Sequence, residues 1–175
     1  MKRIILSGIK HSGKSTVGWA LASQLGLYFA DLDDLILRDA DGFDSVRDIY
    51  RILGGDGFKE KEAGSLDHFL QANEGKDFVL SLGGGTIENQ AALELLNRED
   101  VSTYYLDADE KALFNRIARG GIPPFLEGEN PKEKFGILYE KRSELYRNWA
   151  SVIIDTRGKT PAKITEEIAV KISQT

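Results

Sequence analysis

Short apolar runs alternate along the chain with longer stretches in which apolar residues return every three or four positions. A run of four to eight residues suits a strand, whereas the longer spacing sets one helix face against a core. Strands are expected near 3–7, 28–31, 77–82, 102–106 and 151–155. Helices are expected at 14–25, 34–39, 45–53, 58–73, 89–97, 110–119, 131–149 and 161–173. Such alternation predicts βαβ units, whose right-handed crossovers place helices on both faces of a parallel sheet. The expected fold class is therefore α/β, three layers (α/β/α) around a five-stranded parallel sheet.

No internal repeat or low-complexity segment interrupts the pattern, so one domain over 1–175 is expected. The least regular connector is GGIPPFLEGENP, 120–131, where paired prolines are expected to exclude helix and Gly120, Gly121 and Gly128 loosen the chain. A mobile flap over about 119–131 is the expectation. The aromatic residues Trp19, Phe69, Phe78, Tyr104, Tyr105 and Trp149 are expected mainly in the core.

Composition narrows the chemistry. The 175 residues are 41% hydrophobic with a formal charge of −5, and a phosphate-backbone binder would show a basic face instead. Nucleic acid is not an expected partner. Without cysteine there is no disulfide or thiolate site, and two histidines far apart in sequence, His11 and His68, do not suggest a metal centre. The apolar run after Met1–Lys2–Arg3 is too short for a signal peptide, and none reaches membrane-spanning length. A cytoplasmic location without membrane attachment is expected.

Between the first strand and the first helix lies GIKHSGKST, 8–16, which fits G-x-x-x-x-G-K-[ST]. In such a loop the backbone N–H groups and the positive end of the following helix face nucleotide phosphates. Gly8, Ser12, Gly13 and Thr16 would shape or line the loop, Lys14 would reach the β- and γ-phosphates, and the Ser15 hydroxyl would hold Mg²⁺. His11 sits at a position of which the motif asks nothing.

Other stretches are ambiguous by themselves. In FADLDDLI, Asp31 and Asp33 alternate as a strand runs out, which puts both carboxylates on one side. They could divide the ordering of Mg²⁺ waters and the acceptance of a hydroxyl proton; equally, Asp33 or Asp34 could only cap the next helix. The three glycines Gly83, Gly84 and Gly85 after the third strand suit close approach of a ligand to the backbone, or a loose turn. FKEKE, 58–62, and Arg142 in YEKRSELY read most simply as solvated charge.

Taken together and in order, GIKHSGKSTVG, FADLDDLI, DSVRDIYRILGGDGFKEKE, LSLGGGTI, YYLDAD, the proline-rich flap and KRSELYRNWA before VIIDT resemble the shikimate kinase family over nearly the whole chain. The resemblance implies a nucleoside monophosphate kinase-like P-loop fold with strand order 2-3-1-4-5 and a moving lid. It also implies transfer of the ATP γ-phosphoryl group to the 3-hydroxyl of shikimate, with Mg²⁺ as cofactor; a monomer is the expected state, though nothing in the sequence sets the oligomeric state. Carried onto this chain, Asp31 supports Mg²⁺ through water and Asp33 binds the acceptor hydroxyl as base within an acceptor region at about 31–62. Gly83, Gly84 and Gly85 lie against the acceptor, Arg142 holds its carboxylate, and Arg116 lies near adenine, as does TRGKTP after Asp155.

Two departures stand out. Lys59 occupies the place of a family arginine that grips the acceptor carboxylate, and lysine lacks the planar bidentate fork. Pro123-Pro124-Phe125-Leu126 stands where the family has Arg-Pro-Leu-Leu, so the lid arginine is absent. Arg119, or else Lys132, is the expected stand-in. A different small hydroxylated acceptor, or an ATP-binding homologue without turnover, is the alternative.

Overall fold

The structure, a computed structural model, describes residues 2–174. Strand β1 (Arg3–Ser7) is buried along its whole length and lies at the centre of a five-stranded sheet. Around it run β2 (Tyr28–Asp31), β3 (Phe78–Ser81), β4 (Val101–Asp107) and β5 (Val152–Asp155), ordered β2-β3-β1-β4-β5 with every pairing parallel. The helices are α1 (Lys14–Leu25), α2 (Leu32–Arg38), α3 (Val46–Ala72), α4 (Gln90–Leu96), α5 (Glu110–Arg119), α6 (Pro131–Trp149) and α7 (Pro161–Ser173).

Alternate strand residues feed opposite faces. Ile5, Phe78 and Leu80 pack with Leu32, Ile36, Ile49, Leu66 and Phe69 of α2 and α3, while Ile4, Leu6, Val79 and Ile154 pack with Val17, Leu21, Ile164 and Ile168 of α1 and α7. A further cluster joins Tyr105 to Leu113, Ile117, Phe135 and Tyr146 of α5 and α6. The strand ends matter most for function. Leu6 pairs in register with Ser81, and Asp31 with the same Ser81, so the loops after β1, β2 and β3 emerge side by side.

The two expected helices 45–53 and 58–73 are present, joined end to end as α3 and separated by a kink at Gly54, whose φ of 69° and ψ of −176° break the helical path at a residue without a Cβ. Two expectations need correction. The proline pair does not exclude helix: Pro123 is the N-cap and Pro124 the first residue of a one-turn 3₁₀ helix, Pro124–Leu126, where a missing N–H costs nothing. Trp19 is 66% exposed on the outer side of α1 rather than in the core, and Trp149 is only partly buried. Among the described residues, no helix is long and apolar enough to cross a membrane.

Candidate active site

The phosphate loop follows directly from β1. At Gly8 a Cβ would lie 2.7 Å from Ser12 Oγ and 3.0 Å from the Leu106 carbonyl, and Gly13, at φ 98°, turns the chain into α1. His11 adopts φ 65°, and burial followed by the charges of Lys10, Lys14 and Arg116 holds its pKa down. Lys14 is buried, with Nζ donating to the carbonyls of Gly8 (2.9 Å) and Ile9 (3.2 Å). Burial lowers its pKa to about 8 against the opposing pull of Asp33 and Asp31.

The carboxylate pair resolves its own ambiguity. Asp31, rather than Asp33 or Asp34, caps α2: its Oδ1 accepts from the Asp33 N–H at 3.0 Å, while its Oδ2 accepts from Ser15 Oγ at 2.5 Å. Capping by Asp31 leaves the Asp33 carboxylate free of that duty, on the first turn of the helix and facing the cavity. Its pKa is raised, first by loss of solvent and then by Asp31, with Lys14 and Lys10 pulling the other way.

The triple glycine is a close-approach device. A Cβ at Gly83 would come within 3.1 Å of Glu62 Oε1 and 3.2 Å of Asp33 Oδ1; at Gly84 it would lie 2.6 Å from the Lys10 backbone nitrogen; at Gly85, 3.1 Å from Arg142 Nη2. Glu62, expected to be solvated, is buried beneath this turn. It accepts from Thr86 Oγ1 (2.6 Å) and Asn89 Nδ2 (2.8 Å), and burial raises its pKa despite both donors. Tyr146 OH donates to the Gly83 carbonyl at 3.3 Å.

Arg142 is likewise not a solvated charge. Its Nε and Nη2 meet Glu88 Oε2 at 2.7 and 2.6 Å, its Nη1 donates to the Gly84 carbonyl at 3.1 Å, and its guanidinium lies 5.6 Å from the centre of the Phe125 ring. Burial would raise the Glu88 pKa, but Lys141 and Arg142 outweigh it and hold it down.

These elements enclose a cavity of about 820 Å³ that takes in Lys14, Ser15, Thr16, Asp31, Asp33, Lys59, Gly83–Gly85, Arg116 and Arg142. Arg116 Nη1 donates to the His11 carbonyl at 2.9 Å. Gly8 and Ser12 shape the loop from behind, and Ser12 is buried. Arg119 is exposed and does not line the cavity, because the last turn of α5 carries it outward; Lys132 lines a separate groove with Glu110 and Ile137. Besides Lys14, Lys59, Arg116 and Arg142, the cations that line the cavity are Lys10, Arg47 and Lys134. Glu62, on α3, gives no periodic signal of its burial, and Glu88, half-buried at the end of the single 3₁₀ turn Thr86–Glu88, lies in an element too short to show one.

The segment between α5 and α6 covers the cavity from above. Phe125 lies 6.2 Å from Tyr50, itself 5.7 Å from Phe58, in edge-on geometry. Arg51 Nη2 meets Glu127 Oε1 at 3.1 Å and Arg47 Nη2 donates to the Gly121 carbonyl at 3.3 Å.

Comparison with known proteins agrees with this arrangement. The sequence profile of the family described as shikimate kinase matches residues 10–173. A shikimate kinase of Sulfurihydrogenibium sp. is 34% identical over 174 residues, covering 99% of each chain. One of Thermodesulfovibrio yellowstonii is 32% identical over 168 residues, covering 96% of this chain and 93% of its own. The solved shikimate kinase of Acinetobacter baumannii in complex with shikimate superposes with a TM-score of 0.88 at 30% identity, covering 99% of this chain and 94% of that one. The chain belongs to the shikimate kinase family.

Proposed function

We propose that this chain transfers the γ-phosphoryl group of ATP to the 3-hydroxyl of shikimate, giving shikimate 3-phosphate and ADP. The observation that carries the reading is the meeting of Lys14, Asp33, the triple glycine and Arg142 around one cavity. The acceptor oxygen forms its bond to the γ-phosphorus as the bond to the bridging oxygen breaks, the electron pair leaving with ADP. Asp33 takes the hydroxyl proton, a role favoured by a carboxylate whose basicity burial has raised.

Lys14 exchanges its loop carbonyls for the β- and γ-phosphates, and Arg116 borders the nucleotide side. Ser15 Oγ and Asp31 Oδ2 are hard oxygen donors beside the loop, a set suited to Mg²⁺, which usually takes one or two protein groups plus phosphates and water. Bound there, Mg²⁺ would neutralise charge between the phosphates.

On the acceptor side, Glu88 holds the Arg142 guanidinium in one orientation, and Lys59 adds a second positive charge for the carboxylate of the substrate. The segment 119–131 acts as a lid, with Gly121 and Gly128, both at left-handed φ, as its hinges. Its closure excludes the water that would otherwise take the phosphoryl group.

A coupled assay with MgATP tests the reading. Shikimate should be consumed with stoichiometric ADP, and Asp33→Asn should lower kcat by about 10²–10⁴ while ATP affinity stays within a few-fold. No ADP at millimolar shikimate, with turnover on another hydroxy acid because Lys59 replaces the arginine fork, would move the acceptor assignment.

A further inference from the structure

With Pro123 where a lid arginine belongs, the transferred phosphoryl group still requires a cation that spans donor and acceptor. Seven cationic side chains line the cavity, and most are committed elsewhere. Arg142 is fastened to Glu88 and Gly84, Arg116 to the His11 carbonyl, Arg47 to the Gly121 carbonyl and Lys134 to the Glu127 carbonyl at 2.9 Å. Lys14 belongs to the phosphates. The Lys59 and Lys10 ammonium groups have no hydrogen-bond or ion-pair partner among the described residues, and Lys59 stands on α3, on the side proposed for the acceptor carboxylate.

Lys10 stands elsewhere. It is exposed to the cavity on the phosphate loop, and its backbone N and Cα lie 2.6 and 3.1 Å from where a Gly84 Cβ would be. That contact is the seam at which the loop holding the donor meets the glycines lying against the acceptor. We propose that Lys10 replaces the missing lid arginine, its ammonium group bridging the γ-phosphoryl oxygens and the acceptor as the phosphoryl group crosses the seam. Its charge already reaches both sides, since it lowers the basicity of Asp33 and of Lys14.

The inference rests on the phosphoryl-transfer reading above. In the step, the bond from the acceptor oxygen to phosphorus forms, the bond to the bridging oxygen breaks, the electron pair leaves with ADP and the proton goes to Asp33. A loop-borne cation would act before the lid closes, whereas a lid-borne one arrives with it.

The test uses the intact chain and the variants Lys10→Met and Lys10→Arg. Lys10→Met keeps most of the aliphatic stem, so it should unfold at the same temperature, lose about 10²–10³ in kcat, and change the KM for ATP by less than about threefold. Lys10→Arg should retain most of the rate, and ethylammonium added to Lys10→Met should restore part of it, which a merely structural role would not allow. A Lys10→Met rate within about threefold of the parent, or a loss that neither arginine nor ethylammonium repairs, overturns the proposal. So does a larger loss in Arg119→Ala, Arg47→Ala or Lys134→Ala than in Lys10→Met. Should the unaltered protein not turn over shikimate, the acceptor assignment fails separately; the same variants are then compared on ATP cleavage to water, with the same outcomes deciding Lys10.

Discussion

Ser15 Oγ donates to Asp31 Oδ2 across 2.5 Å, which ties the first turn of α1 to the end of β2. The contact joins the two oxygen groups proposed to support Mg²⁺, and Asp31 simultaneously caps α2. Asparagine caps nearly as well as aspartate but carries no charge. Asp31→Asn should therefore leave the urea midpoint almost unchanged while raising the Mg²⁺ concentration for half-maximal rate by about tenfold or more. A variant with the parent's Mg²⁺ requirement would remove Asp31 from metal support.

Lys14 offers a prediction about protons. Its pKa, depressed to about 8 because burial disfavours the ammonium form, leaves roughly half the sites deprotonated at pH 8 in the free protein. Phosphate anions favour the cation. MgATP binding at pH 8 should accordingly take up close to half a proton per site, fading below pH 7, as read from calorimetry in buffers of different ionisation enthalpy. Lys14→Arg should bind with no such uptake; proton release in the parent would contradict the placement of Lys14 on the phosphates.

Glu62 is a structural carboxylate under the triple glycine. Removing it in Glu62→Ala leaves the Thr86 hydroxyl without its partner and strips Asn89 Nδ2 of one of its two acceptors, costing about 2–4 kcal/mol in urea unfolding. The pH dependence follows from the sign of the shift. Burial raises the folded pKa above the ordinary value of 4.5, so protonated Glu62 favours the fold, and that contribution is lost as pH rises through the folded pKa. Glu62→Gln should flatten this part of the stability profile.

The burial of Glu62 also marks where sequence reading stops. FKEKE reads as charge facing water, and only Lys59 and Glu60 of its charged residues are exposed. Lys61 turns inward to the Asp39 carbonyl, and Glu62 meets Thr86 and Asn89, 24 and 27 positions away. No local pattern encodes such a partner. Trp19 fails in the opposite direction: its bulk suggests core, but its position on α1 faces away from the sheet while Val17 and Leu21 face it. Arg119 was close in sequence to the lid and points out of the cavity, because proximity along the chain does not fix the side of a helix.

By itself the sequence determined what depends on neighbours along the chain. These are the five strands, nearly all of the helices, and the phosphate loop with Lys14 and Ser15 in place, since strand period, helix period and the glycine turn are local properties. The tertiary structure decided what depends on residues far apart: that Asp31 rather than its neighbours caps α2 while meeting Ser15, that Glu62 is buried, that Arg142 is oriented by Glu88, and that Lys10 lies against Gly84. The physical reason is the parallel sheet. Placing β1 beside β3, and β3 beside β2, brings three loops out at one edge, and distant side chains are confined there to one cavity.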